Sequence, residues 1–85
     1  MSVIRRDIFS ANPPPRGDYI LSPTGLTWNV RRAAGDGSVL SIANEPDWRS
    51  ALTTLLSLAE RDRADAWETA GNGPFRLIKR FRAAF

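Results

Sequence analysis

Hydrophobic and polar positions follow two different periods along this 85-residue chain, and the places where one gives way to the other mark out the elements. Between Asn44 and Arg63, the residues Trp48, Ala51, Leu52, Leu55, Leu56 and Ala59 recur at three- and four-residue spacing. That spacing puts them on one face of a helix. Asn44 suits an N-cap, Pro46 the first turn, where no amide donor is needed, and Glu45 and Asp47 the positive end of the helix dipole. Upstream, the period is two. Tyr19-Ile20-Leu21-Ser22 reads as a strand closed by the turn Pro23-Thr24-Gly25. Leu26, Trp28 and Val30 then alternate with Thr27, Asn29 and Arg31, which is the pattern of a half-buried strand. The residues Ala33 to Ser38 form a loop rich in positions that accept positive φ. Val39 to Ala43 make a third strand, expected to turn Leu40 and Ile42 to the core. Such short connections predict an antiparallel meander.

Downstream of the helix, Ala66 to Ala70 reads as a fourth strand with Trp67 facing inward. Gly71-Asn72-Gly73-Pro74 carries the Asn-Gly signal of a type I′ hairpin turn. Two readings compete for the segment after Pro74. As a strand, Phe75, Leu77, Lys79 and Phe81 share one face and Arg76, Ile78, Arg80 and Arg82 the other. As a helix, Leu77, Ile78, Phe81, Ala84 and Phe85 align behind Pro74 at the first helical position. The hairpin turn favours the strand. Residues 1–18 read as a flexible N-terminal arm, with Val3, Ile4, Ile8 and Phe9 able to pair or dock and Pro13-Pro14-Pro15 forming an extended spacer. Arg16-Gly17-Asp18 matches an integrin tripeptide by coincidence and reads as a turn into the first strand. The expected architecture is a single α+β domain over residues 19–85. An antiparallel sheet of four to five strands, ordered β-β-β-α-β-β, carries one amphipathic helix packed on one face. In it Trp48, Leu52, Leu55 and Leu56 meet Trp28, Val30, Leu40, Ile42 and Trp67. The other sheet face is left for solvent, a second protomer or a partner.

Composition narrows the chemistry. A chain of this size buries only about 60–65% of its unfolded surface, so nearly every apolar residue must join the core. There is no cysteine and no histidine, which removes disulfides, thiolate zinc sites and the commonest general base. Asp36 sits between glycines but lacks the alternating carboxylates of a calcium loop. Glu60, Asp62 and Asp65 are interrupted by Arg61 and Arg63 and read as a solvated helix end. None of the seven serines lies in a Gly-x-Ser-x-Gly elbow, and the glycines at 35, 37, 71 and 73 lack the spacing of a phosphate loop. The expectation is therefore no enzyme, no metal and no cofactor. MSVIRRDIF holds no apolar signal core and no apolar run reaches membrane length, so a cytoplasmic protein without membrane contact is expected.

Charge is unevenly placed. The net charge is +3, yet Arg76, Lys79, Arg80 and Arg82 face no acid from Phe75 onward, leaving eight basic and nine acidic residues before it. This acid-free segment holds the whole excess. With Arg31 and Arg32, these four residues (Arg76, Lys79, Arg80 and Arg82) form the candidate partner-binding set, provided the strands that carry them are neighbours or share a face. Arginine suits phosphate through its planar donor fork, but a nucleic-acid stacking platform also needs exposed aromatics, for which Tyr19, Phe81 and Phe85 are the candidates. The alternative is an edge strand protected by its charges.

The order of Tyr19-Ile20-x-x-Pro23, Trp28-x-Val30, the helix with Ala51 and Ala59, then Trp67 and the turn Gly71-Asn72-Gly73 before a basic strand resembles a small bacterial family of unknown function, number 2188. The resemblance covers residues 19–82 and implies a sheet of short strands crossed by a helix; the loop around Gly35 and the proline-rich arm depart from it. The layout is also similar to HicB-type antitoxin domains and to small phage-encoded inhibitors of bacterial defence. These likenesses bring no catalytic residues. They imply a non-enzymatic module that binds a protein partner, inhibiting or regulating a larger bacterial or phage complex. The alternative function is nucleic-acid binding through the basic C-terminal strand, and an uncovered sheet face also admits a homodimer.

Overall fold

The computed structural model describes residues 9–10, 12–71 and 74–82. Its elements are β1 (Phe9–Ser10), β2 (Tyr19–Thr24), β3 (Thr27–Ala33), β4 (Val39–Glu45), α1 (Trp48–Asp62), β5 (Ala66–Glu68) and β6 (Phe75–Lys79). The fold is α+β, a single mostly antiparallel sheet with one helix packed on it, in the order β1-β6-β5-β2-β3-β4. The segment after Pro74 is a strand. One pair is parallel: β5 runs alongside β2, with Tyr19 opposite Ala66 and Leu21 opposite Glu68. The helix dictates this. It carries the chain from the end of β4 back across the sheet, so β5 starts at the same end as β4, and parallel strands require such a crossover.

Asp47, not Asn44, caps the helix: its carboxylate accepts the Ser50 amide at 2.8 Å. Asn44 and Glu45 are instead held in β4 by pairing with Asn29 and Trp28, and Glu45 reaches the helix by accepting the Thr54 hydroxyl at 2.7 Å. The helix closes on Arg63, whose left-handed backbone (φ 54°) lets its amide and that of Ala64 return to the last carbonyls.

The helix side of the sheet buries Tyr19, Leu21, Val30 and Ala66 under Ala51, Leu55 and Ala59, with Trp28, Leu52, Leu56, Ile78 and Phe81 packed around them. The opposite side carries a second cluster of Ile20, Ala33, Trp67 and Phe75, bordered by Leu77. Several expected core positions move accordingly. Trp67 belongs to this second layer, because Ala66 is the β5 residue turned to the helix. Trp48, on the first helical turn, is 42% exposed, and Leu40 and Ile42 on β4 are 62% and 45% exposed. The helix packs over β2, β3 and β4, with Ala43 of β4 against the core and Glu45 bonded to Thr54, but leaves Leu40 and Ile42 uncovered. A register shift between Val30 and Arg31 leaves Ile42 opposite no β3 residue, so the bulge sets the side chain outside the alternation. Leu26 occupies a two-residue turn rather than a strand and is 99% exposed.

The expected arm joins the fold over its described part. Phe9 and Ser10 pair with Arg76 and Phe75, Pro14 is buried, and the Asp18 amide closes a turn on the Pro15 carbonyl, with Gly17 at φ 96°. Val3, Ile4, Ile8 and the Asn72-Gly73 turn lie outside the described residues.

Asp18 is fully buried. Its carboxylate accepts the Trp67 indole N–H at 3.0 Å and the Asp65 amide at 3.1 Å, and it pairs with the Arg82 guanidinium. Asp65, also buried, accepts the amides of Phe81 and Arg82 at 3.1 and 3.0 Å and the Arg80 Nε at 3.3 Å. Charged groups taken out of water must be met this way or the fold fails to recover their hydration. Trp67→Phe, which keeps most of the apolar contact but removes one donor from buried Asp18, is expected to lower the free energy of unfolding by about 1–3 kcal/mol. Asp18→Ala, which orphans the donors and Arg82 together, should cost about 3–5 kcal/mol. Urea denaturation measures both, and equal stability of Trp67→Phe and the parent would remove the indole–carboxylate bond from this account.

Candidate functional site

The six basic residues singled out by the sequence do not converge on one surface. Arg31 and Arg32 are consecutive on β3, so the pleat sends them to opposite faces. Arg32 lies on the helix side over the Tyr19 ring, 5.4 Å from its centroid, and 3.9 Å from the Asp62 carboxylate. Arg31 lies on the other side and donates from Nε to Asn29 Oδ1 at 2.8 Å. Strands β2 and β5 separate both from β6. Arg76 pairs with Glu68 across β5 and β6, Arg80 with Asp65 and Arg82 with Asp18. Lys79 is exposed and lies over the Phe81 ring at 5.3 Å. The acid-free segment therefore meets its acids in space: Glu68, Asp65 and Asp18 lie 8, 15 and 64 positions before the arginines they hold. Of the candidate aromatics, Tyr19 is buried and Phe81 half-buried, while Phe85 lies outside the described residues.

Where β2, β3 and the end of α1 meet, the Tyr19 hydroxyl donates to Asp62 at 2.5 Å, and Arg61 donates to the same carboxylate from two nitrogens at 3.0 and 3.1 Å. Burial first, and then the bond to Asp62, push the Tyr19 hydroxyl above its usual pKa. The Arg61 hydrogen bonds, followed by that of Tyr19, hold the Asp62 carboxyl at about 2.

Among the described residues the open margin of the sheet on this side is β4. It forms one end of the sheet and spans seven residues, none of them buried. Val39, Leu40 and Ile42 are exposed large apolar side chains on it. A sheet edge offers a row of main-chain donors and acceptors to another strand, and proteins commonly guard it with lysine or proline. β4 carries neither. Alternation predicted the strand but assigned its apolar residues to the core. The missed signals were the bulge that takes Ile42 out of the alternation and the place of β4 as the last strand of the sheet.

A concavity of about 440 Å³ is lined by Arg16, Arg32 and Leu40, and two further ones bear on the sheet. One, of about 360 Å³, is walled by Pro23, Trp28 and Pro74 beside the Glu68–Arg76 pair. The other, of about 230 Å³, opens on the side opposite the helix and includes Ser22, Arg31 and Phe75. Among the described residues no helix is long and apolar enough to cross a membrane.

The Asp62 cluster makes a pH prediction. A carboxyl lowered from 3.8 to about 2 on folding contributes stability that is complete above its ordinary value and is lost as pH falls from 3.8 toward 2. Thermal unfolding of the parent and of Asp62→Asn should therefore differ by a constant amount near neutral pH, with the gap closing between about pH 4 and 2. A gap independent of pH across that window would show that the carboxylate charge contributes nothing.

No family model, curated protein or solved structure matches the chain.

Proposed function

We propose that the protein is a non-enzymatic interaction module whose β4 edge takes up an extended segment of a protein partner. The observation that carries this reading is the edge itself: a seven-residue terminal strand with Val39, Leu40 and Ile42 exposed and no lysine or proline along it. Strand addition gains affinity from main-chain hydrogen bonds, while pockets for alternate side chains give specificity. The matching segment is extended and carries apolar side chains where it passes Leu40 and Ile42. Glu45 is the only charged residue on β4, so the match is apolar rather than ionic. By occupying a strand of a larger bacterial or phage complex, such a module acts as an inhibitor or regulator of it.

Nucleic-acid binding through the C-terminal arginines has less support, since Arg76, Arg80 and Arg82 each face a carboxylate of this same chain. Breaking those pairs to meet phosphate would leave Asp18 and Asp65 buried with neutral donors but no counter-charge.

Co-purification of the full chain from its host should recover a partner that Ile42→Lys loses by about tenfold or more, consistent with placing a charge in an apolar contact. Hydrogen exchange in the recovered complex should slow for the β4 amides. A partner bound equally well by Ile42→Lys, or protection confined to other elements, would overturn the reading. Self-association abolished by Ile42→Lys would replace the foreign partner by a second copy. Salt-sensitive oligonucleotide binding weakened by Arg80→Ala would favour the nucleic-acid function instead.

A further inference from the structure

The side of the sheet away from the helix contains a polar group that the fold does not use. Ser22 is 3% exposed, and its hydroxyl is a buried side-chain group with no hydrogen-bond partner among the described residues. It lines the cavity of about 230 Å³, together with Arg31 and Thr69 and the apolar side chains of Ile20, Val39 and Phe75. In the β2–β3 ladder Ser22 stands opposite Asn29 and Ile20 opposite Arg31. Ser22 and Arg31 are thus diagonal neighbours on one face, with Cβ atoms about 7–8 Å apart in such a pair.

Arg31 is held in place for this role. Asn29 accepts its Nε at 2.8 Å and is itself fixed by donating to Ser41 Oγ and the Ala43 carbonyl, both at 2.9 Å. The two terminal guanidinium nitrogens have no partner among the described residues. Among the described residues the cavity lining contains this one cation and no acid. A buried, partnerless hydroxyl costs free energy unless something meets it, and a guanidinium with two free nitrogens presents a fork that matches a carboxylate.

We propose that this cavity binds a small organic carboxylate, with the Arg31 fork and the Ser22 hydroxyl on the carboxylate oxygens and the apolar body of the ligand against Ile20, Val39 and Phe75. A single cation balances a monoanion, and the apolar walls exclude a fully hydrated inorganic ion. The size of the cavity limits the ligand to about that of an amino acid or a benzoate, below the usual range for drug-sized ligands. The site lies on the opposite side from the helix and takes only Val39 from β4. Ile42→Lys tests the edge, while Ser22→Ala and the Arg31 substitutions test the cavity, so the two readings fail separately.

Sodium benzoate tests it, with neutral benzamide as the isostere lacking charge and inorganic phosphate as the anion lacking a body. In amide-correlation NMR spectra of the full chain, benzoate should give saturable shifts centred on Ser22, Arg31 and Thr69, while benzamide and phosphate give none. Ser22→Ala should raise the benzoate dissociation constant by about tenfold and Arg31→Gln by more than that, as expected for losing one hydroxyl donor to the carboxylate and the whole bidentate ion pair respectively. Ser22→Ala should fold at least as stably as the parent, because its hydroxyl has no partner to lose, and this separates a binding defect from a folding one. Should Arg31→Gln disturb the spectrum, Arg31→Lys, which keeps the charge but not the fork, should still weaken benzoate. Absence of saturable benzoate shifts, equal shifts with benzamide, equal binding of phosphate, or binding indifferent to Ser22→Ala and the Arg31 substitutions would each overturn the proposal.

Discussion

Two buried carboxylates, Asp18 and Asp65, decide where three distant segments of this chain must lie. Asp18 ends the turn before β2, Asp65 precedes β5, and the groups that satisfy them come from Trp67 and from residues 80–82. A carboxylate removed from water needs several donors at once. Here they are supplied only when β2, β5 and the end of β6 are assembled side by side. The same requirement accounts for the parallel β2–β5 pair: the Asp65 amide donates to Asp18 while the Tyr19 amide donates to the Asp65 carbonyl, locking the first rung of the parallel ladder. Arg80 and Arg82 are therefore parts of the framework before they are surface charges.

The remaining architecture follows from covering a sheet with one helix. Alanines at positions 51, 59 and 66 let the helix approach β2 and β3 closely, and Leu55 fills the centre of that contact. The helix also meets β4 through Ala43 and Glu45, yet Leu40, Ile42 and Trp48 stay exposed at the margin. On the reverse side Trp67 and Phe75 make a second, smaller apolar layer, to which Ala33 and Ile20 belong. That layer does not extend evenly over the sheet. Beside it, Asn29, Ser22 and Arg31 form a polar strip of β2 and β3, where the hydroxyl of Ser22 and the end of Arg31 are not absorbed by the fold. The two surfaces left for interaction, an apolar edge and a polar recess, are thus what one helix and one partial back layer fail to cover.

Much of the local structure was legible in the residues themselves. Helical spacing from Trp48 to Ala59, alternation from Trp28 to Arg31 and the turn at Pro23–Gly25 each reflect interactions within a few residues, where periodicity and turn chemistry are strong. The Arg16-Gly17-Asp18 turn belongs to the same class. Asn44 was an acceptable cap locally, but the helix is capped by Asp47 because β3 continues to pair with the chain as far as Glu45. Face assignments failed where a bulge or a change of layer intervened. Ile42 lost its place in the alternation to the register shift, and Trp67 was assigned to the helix although its neighbour Ala66 takes that side.

Pattern and composition alone thus determined the elements, the α+β class and the absence of the side chains that metal or nucleophilic chemistry most often uses. Only the tertiary structure decided which charges are spent. The acid-free segment from Phe75 looks unpaired along the chain because charge balance read in sequence sees only neighbours. Electrostatic partners are chosen by distance in space, and the crossover helix brings Asp18, Asp65 and Glu68 to the arginines of that segment. The same crossover leaves β4 at the end of the sheet, turning residues with the composition of a core strand into an edge.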